Sequence, residues 1–323
     1  MADGHANCCA SRRPGGDSGR AATPDIVKRR ARPAPHRWSG VIGGTFVMGS
    51  AEPGRFPTDG EGPARDVSVS RFEIACHTVT NAQFGEFVRE TGYTTDAERF
   101  GWSFVFEMFV PPALRQSIGR AAADTPWWIP VPHAYWAQPE GPHSMVLDRL
   151  DHPVVHVSWN DAKAYCDWAH AQLPTEAQWE FAARGGLDRK IYPWGDELMP
   201  MGRHRCNIWQ GQFPTINTAE DGFAGTAPAN AYEPNGYGLF CTVGNVWEWC
   251  EDLFSPDYHR TTSSVDPLSL TPTGSRSLRG GSFLCHDSYC NRYRVAARSS
   301  NTPESSASNI GFRVVRENMT NPA

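Results

Sequence analysis

LPTEAQWEFAARGG, residues 173–186, is the stretch from which the fold can be read. Thr175 stands where an N-cap belongs and Gln178, three residues on, completes a capping box. Gly185 and Gly186 stop the helix. Working outward, Thr80 and Gln83 form the same box before a helix with a Phe84, Phe87, Val88 stripe, closed by Gly92. Ser158 or Asn160 opens another helix, with Ala162, Tyr165, Cys166 and Ala169 at i, i+3, i+4 and i+7. Residues 45–49 and 67–74 read as strands. Between Tyr192 and Gly244 the chain is turn-forming (PWGDE, NTAEDGF, EPNGYG), and so long an irregular stretch carries function or needs a staple such as a bound ion. The pattern predicts one α+β domain over residues 38–318 with little regular secondary structure. Residues 1–37, with eight Lys or Arg among Gly, Ala and Pro, are expected to be a solvated tail, and 319–323 a short end piece.

The 323 residues are 20% charged and 40% hydrophobic, with a net charge of -5. That balance is globular, argues against a dedicated nucleic-acid binder and suits a partner carrying positive charge. No apolar run approaches the roughly 20 residues needed to span a membrane. The nine cysteines are odd in number and scattered, and the N-terminus lacks an apolar h-region. A reducing cytoplasm is therefore expected, without a disulfide framework.

Cys285 and Cys290 lie within LRGGSFLCHDSYCNRYRVAAR, residues 278–298. Two thiols so spaced can close a disulfide, grip a soft metal or run redox chemistry. Arg292, Arg294 and Arg298 follow closely, and nearby cations favour thiolate. Residues five apart on a strand face opposite ways, so His286 to Tyr289 must bend for the sulfurs to meet. Gly280 and Gly281 suit a turn or a close approach. Zinc would want four ligands, and His286 is the one extra candidate nearby. The pair His152 and His156 lacks a third ligand and reads as structural, and the other core cysteines as packing residues. No phosphate loop, dinucleotide fingerprint or nucleophile elbow is present.

Several segments together resemble the formylglycine-generating enzymes, or sulfatase-modifying factors. They are residues 43–49, GWSFVFE (101–107), PWW (126–128), HPVVHVSWNDAKAYC (152–166) and LPTEAQWEFAARGG. They continue with CNIWQGQFP (206–214), NGYGL (235–239), GNVWEW (244–249) and GGSFLCHDSYCNRYRVAARSSNTPESSASNIGFR (280–313). The helix and GNVWEW motifs belong to the wider fold group; the paired cysteines belong to the catalytic branch. The resemblance implies a compact α+β fold distantly like C-type lectins. It implies oxidation of the cysteine in a C-x-P-x-R motif of an unfolded sulfatase to Cα-formylglycine, using O2 and a thiol reductant, by a protein acting as a monomer.

By the same resemblance Cys285 and Cys290 bind Cu(I), a soft ion that thiolates suit, and the substrate cysteine joins it. Ser282 and Trp247 line the oxygen-handling pocket. Asn207 and Asp221 give side-chain oxygens to a structural calcium, with carbonyls from Ile208 and Phe223. A second calcium site of some members uses an Asn where this chain has Cys241, a poor calcium ligand; carbonyls of Thr242, Gly244 and Val246 are left. Of four half-cystines in secreted members, Cys166 alone is kept, with Ala183, Val295 and Val314 at the others, so both disulfides should be absent. Two rival functions remain. A non-catalytic binding paralogue would have lost the paired cysteines, and a C–S-forming sulfoxide synthase would carry an extra helical domain with iron-binding histidines.

Overall fold

The computed structural model describes residues 11–13, 36–51, 56–118 and 125–317. In chain order these form β1 (Trp38–Val41), β2 (Gly44–Met48), β3 (Arg65–Val69), β4 (Phe72–Ala75), α1 (Asn81–Thr91), α2 (Asp96–Phe100), β5 (Trp102–Phe106), α3 (Pro112–Ser117) and β6 (Trp128–Pro132). Then come α4 (Trp159–Ala169), α5 (Glu176–Ala183), β7 (Gly211–Gln212), β8 (Ile216–Asn217), β9 (Trp247–Leu253), α6 (Tyr258–Thr261), β10 (Arg276–Arg279), β11 (Arg298–Asn301), β12 (Ile310–Phe312) and β13 (Val315–Arg316).

The three expected helices are α1, α4 and α5; Thr80 with Gln83 and Thr175 with Gln178 form the capping boxes read from sequence, and Ser158, one of two starts offered for α4, forms a third with Asp161. One expected strand is corrected. Residues 67–74 do not run through; the chain breaks at Ser70 and Arg71 and gives β3 to one sheet and β4 to another. The break follows from pairing: β3 lies against β2, whereas β4 lies between β1 and β13. Residues 192–244 contain only the two-residue strands β7 and β8 and one 3₁₀ turn, as expected.

The main sheet has order β11-β10-β9-β12, antiparallel except where β12 runs parallel to β9. Its core is aromatic, with Trp128, Trp179, Trp209, Trp247 and Trp249 all essentially without solvent contact. The segments GWSFVFE and PWW meet as a ribbon, β5 against β6, with Trp102 opposite Pro132 and Phe106 opposite Trp128.

α5 has no polar face. Glu176 and Glu180 are buried together with Trp179 and Phe181, and they meet arginines from the sheet. Arg298 Nε and Nη2 lie 2.6 and 2.7 Å from the two oxygens of Glu176, and Ser277 Oγ donates to the same carboxylate at 2.6 Å. Arg279 bonds both Glu176 and Glu180, and Arg184 bonds Glu180 at 2.7 Å. Asp252 accepts the Glu176 N–H at 2.7 Å. Burial alone would raise the Glu176 carboxyl, but Arg298 and Arg279 hold it down at about 2. Asp252 is pushed up to about 7 by burial and by the charge of Glu176.

Residues 1–37 were expected to be a solvated tail. Ser11 and Arg13 are buried, and β1 begins at Trp38; residues 1–10 and 14–35 lie outside the described residues. No helix among the described residues is long and apolar enough to cross a membrane.

Candidate active site

The loop after β10 carries both cysteines. Gly280 and Gly281 take φ of 94° and 76°, and a Cβ on Gly281 would fall 2.7 Å from the Arg292 carbonyl oxygen. Only glycine allows the loop to close this tightly on itself. The Cys285 N–H donates to the Ser282 carbonyl at 2.9 Å, and the N–H groups of Tyr289 and Cys290 donate to the His286 carbonyl at 3.1 and 2.6 Å. These turns solve the facing problem that the spacing posed. The Cys290 thiol donates to the Cys285 sulfur across 3.3 Å, and the two side chains are 1% and 0% exposed. They are thiols, not a disulfide.

Aromatic side chains wall the pair. Tyr289 stacks on Phe213 at 4.8 Å and meets the edge of Trp127 at 5.0 Å. The Trp209 N–H donates to the Cys285 carbonyl at 3.1 Å. A cleft of about 220 Å³ opens beside them, lined by Arg205, Trp209, Gln210, His286, Asp287 and Tyr293 among others. The arginines that sequence placed near the thiols have other work. Arg292 pairs with Asp59 at 2.6 Å, Arg294 grips both oxygens of Glu61 at 2.6 Å, and Arg298 belongs to the Glu176 cluster.

Ser282 and Trp247 are tied together by Asn309, a residue the sequence did not single out. Asn309 Nδ2 donates to Ser282 Oγ at 3.0 Å, and its carbonyl accepts the Trp247 N–H at 2.9 Å. Ser282 Oγ also accepts from the Leu284 N–H at 3.4 Å, so its own proton remains to be given. The Trp247 indole N–H is buried without an acceptor among the described residues.

The donor set at Cys285 and Cys290 suits a soft monovalent ion. Two thiols converge in a dry wall, and among the described residues no group of three or more His, Cys, Asp or Glu could complete a zinc site. Of the residues expected to hold calcium, Ile208 and Phe223 bond Asp221 through their N–H groups. The Ile208 N–H and Gln210 Nε2 lie 3.0 and 2.9 Å from Asp221 Oδ2, and Gln210 Nε2 also crowds the Ile208 carbonyl. An amide nitrogen thus sits between two oxygens that were expected to face the ion, while Asn207 Oδ1 is buried with no donor among the described residues. The Phe223 N–H donates to Asp221 Oδ1 at 3.0 Å, which turns the chain around the carboxylate. The second set fits poorly. Burial pushes the Cys241 thiol up to about 11, and a neutral thiol is no ligand for a hard cation. Thr242, Gly244 and Val246 follow on the same segment with carbonyls alone.

His152 and His156 do not form a site. His152 Nδ1 pairs with Thr226 Oγ1 at 2.9 Å, whereas His156 is fully buried with Nδ1 on Ser103 Oγ at 2.8 Å. Cys76, Cys166, Cys206 and Cys250 are buried packing thiols whose pKa values burial raises.

A buried dithiol on an irregular α+β scaffold, beside a cleft, is a candidate redox or soft-metal site. The comparisons agree. The family model for the Sulfatase-modifying factor enzyme 1-like domain matches residues 23–318, and the chain belongs to this family. It is 57% identical over 292 residues to a formylglycine-generating enzyme of Thermomonospora curvata, covering 90% of this chain and 96% of that one. It is 50% identical over 275 residues to the mouse protein called inactive C-alpha-formylglycine-generating enzyme 2, covering 84% and 82%. The solved structure of PvdO from Pseudomonas aeruginosa superposes with a TM-score of 0.60 at 22% identity, over 88% of this chain and 99% of that chain, which speaks for the fold.

Proposed function

We propose that the protein oxidises the cysteine of a C-x-P-x-R motif in an unfolded sulfatase to Cα-formylglycine, with O2 as oxidant and Cu(I) held by Cys285 and Cys290. The observation that carries this reading is the buried pair of sulfurs 3.3 Å apart, with no third His, Cys, Asp or Glu converging on them among the described residues. A substrate thiolate can therefore complete the set. Bound copper would supply the redox centre at which O2 is activated.

The chain's own residues do the rest. Cys285 and Cys290 hold the ion; Tyr289, Trp127 and Phe213 keep bulk water from it. Ser282, fixed by Asn309, and the Trp247 indole offer protons to oxygen in a dry site where such donors are strong. The reaction balances as substrate CH2–SH plus O2 plus two thiols giving the aldehyde, hydrogen sulfide, water and one disulfide, so a thiol reductant is required. A structural calcium on Asn207, Ile208, Asp221 and Phe223 would fix the irregular segment beneath the cleft. A reducing cytoplasm fits this chemistry, and nothing in the reaction needs more than a monomer.

The retained dithiol separates this protein from a non-catalytic binding member of the family. The test is to replace Cys285 or Cys290 with Ser. Each change should abolish tight Cu(I) binding, measured against a chromophoric chelator, and aldehyde formation on a C-x-P-x-R peptide, measured by mass. Unchanged copper affinity in both variants would sink the assignment. Tight peptide binding without aldehyde from the copper-loaded wild type would favour the binding module.

A further inference from the structure

Ser11, Arg12 and Arg13 dock on three segments, one 89, one 114 and one about 290 residues away in sequence. Arg13 is 5% exposed. Its guanidinium carbon lies 4.3 Å from the Phe100 ring centroid and 4.1 Å from that of Trp102. Nη2 donates to the Trp102 carbonyl at 2.7 Å and to Ser306 Oγ at 3.2 Å, and Nε to the Glu304 carbonyl at 3.1 Å. The main chain is held as well. The Arg13 N–H donates to Ser305 Oγ at 3.0 Å, and the Ser11 carbonyl accepts from Asn301 Nδ2 at 3.2 Å. Ser11 Oγ lies 2.7 Å from Thr125 Oγ1, and Arg12 donates to Ser300 Oγ at 3.3 Å. This is recognition of a peptide with an arginine anchor, made through side chain and backbone together.

The groove leads to the thiols. The segment whose Ser305 and Ser306 hold Arg13 goes on to Asn309, which holds Ser282. Thr125, which meets Ser11, lies two residues before Trp127, which packs on Tyr289 beside Cys290. Both ends of the docked tripeptide therefore rest on segments that continue to the cysteine loop. The sequence there is Cys9-Ala10-Ser11-Arg12-Arg13. Cys9 itself lies outside the described residues, but it stands four positions before Arg13, the spacing of Cys and Arg in C-x-P-x-R.

We propose that the segment containing Ser11–Arg13 is a tethered competitor of the sulfatase peptide, with Arg13 seated in the pocket that takes the substrate's arginine. The inference rests on the function proposed above. The seat is built for exchange. Arg13 has no directly bonded carboxylate in the groove, and its Nη1 is buried without a partner among the described residues. Asp96, Asp161 and Glu304 attract it from further out. Ser11 replaces the proline of the substrate motif. A weak ligand tethered to its own site still competes, because tethering gives it an effective concentration in the millimolar range.

The test uses the full-length chain, wild type and Arg13→Ala. A fluorescent C-x-P-x-R peptide with its cysteine changed to Ser reports binding by anisotropy. Arg13→Ala should tighten binding roughly tenfold, as expected for removing a tethered competitor. KM for the reactive peptide should fall in parallel, with kcat unchanged. A synthetic peptide of residues 5–17 should displace the probe from Arg13→Ala, and the same peptide with Ala for Arg13 should not. Trypsin should cut after Arg12 of the wild type faster once saturating substrate peptide is added. Equal probe affinity for wild type and Arg13→Ala overturns the proposal, as does failure of the 5–17 peptide to compete. If no aldehyde forms from any peptide while the binding results hold, the function reading fails and the competitor stands.

Discussion

Replacing Glu176 with Gln tests what holds α5 to the main sheet. In the cluster, Glu176, Glu180 and Asp252 face Arg184, Arg279 and Arg298, three acids against three bases. Gln keeps the shape but removes one charge, and whichever way the amide turns its NH2 faces the Arg298 guanidinium, which cannot accept. Arg298 cannot swing away, because its Nη1 also donates to the carbonyls of Asp59, Gly60 and Ser255 at 2.9, 3.0 and 3.0 Å. Breaking a buried pair by removing one partner costs roughly 3–5 kcal/mol. For a domain of this size that lowers Tm on the order of 10 °C. Calorimetry and urea unfolding measure it, with Glu251→Gln as the control, since the Lys163–Glu251 pair is about 30% exposed on each side and should matter little. A Tm loss no larger than that of the control would refute the idea that this cluster is a structural pin.

The same cluster gives a pH signature. Asp252 titrates at about 7 when folded, above its unfolded value, so its ionisation erodes stability as pH rises from about 4 to 7. Asp252→Asn should be less stable overall, having lost an acceptor, yet show a flatter pH dependence in that window by urea titration; an unchanged slope counts against the shift. Glu176 acts oppositely: its stabilisation is complete above about 4.5 and disappears as pH falls through about 2. Chelating calcium should lower Tm by several degrees, since a ligand at a hundred times its Kd contributes about 2.7 kcal/mol. Asp221→Ala should remove that response, and a retained response would place the ion elsewhere. A strong reductant should leave the metal-free melt unmoved, because no disulfide joins the described cysteines; a large drop would reveal a bridge.

The capping boxes at Thr80 and Thr175 were legible because each is a local pattern whose chemistry is complete within four residues. The dithiol was legible for the same reason, together with the two glycines that let its loop fold. What escaped reading was long-range. Glu176 and Glu180 look like the solvent face of a helix, and only the arrival of Arg279 and Arg298 from a hundred residues away makes them core. An early sign was available: α5 offers no stripe, because Trp179, Phe181 and Ala182 leave it no side to expose. Asn309 and Tyr289 were missed because neither type is unusual in a loop, and their roles depend on where Ser282 and Trp127 end up. Ser11 and Arg13 sit in a segment whose composition argues for solvation, and a docked tripeptide leaves no compositional trace.

The placement of β12 has a consequence for how the protein is made. A ribosome delivers β9, β10 and both cysteines before residues 310–312 exist, so one edge of β9 waits open for its parallel partner. Asn309, which sets Ser282, arrives with the same late piece, and Arg313 just beyond it neutralises Glu248 inside the core at 2.9 Å. During synthesis the thiols therefore exist without their finished enclosure.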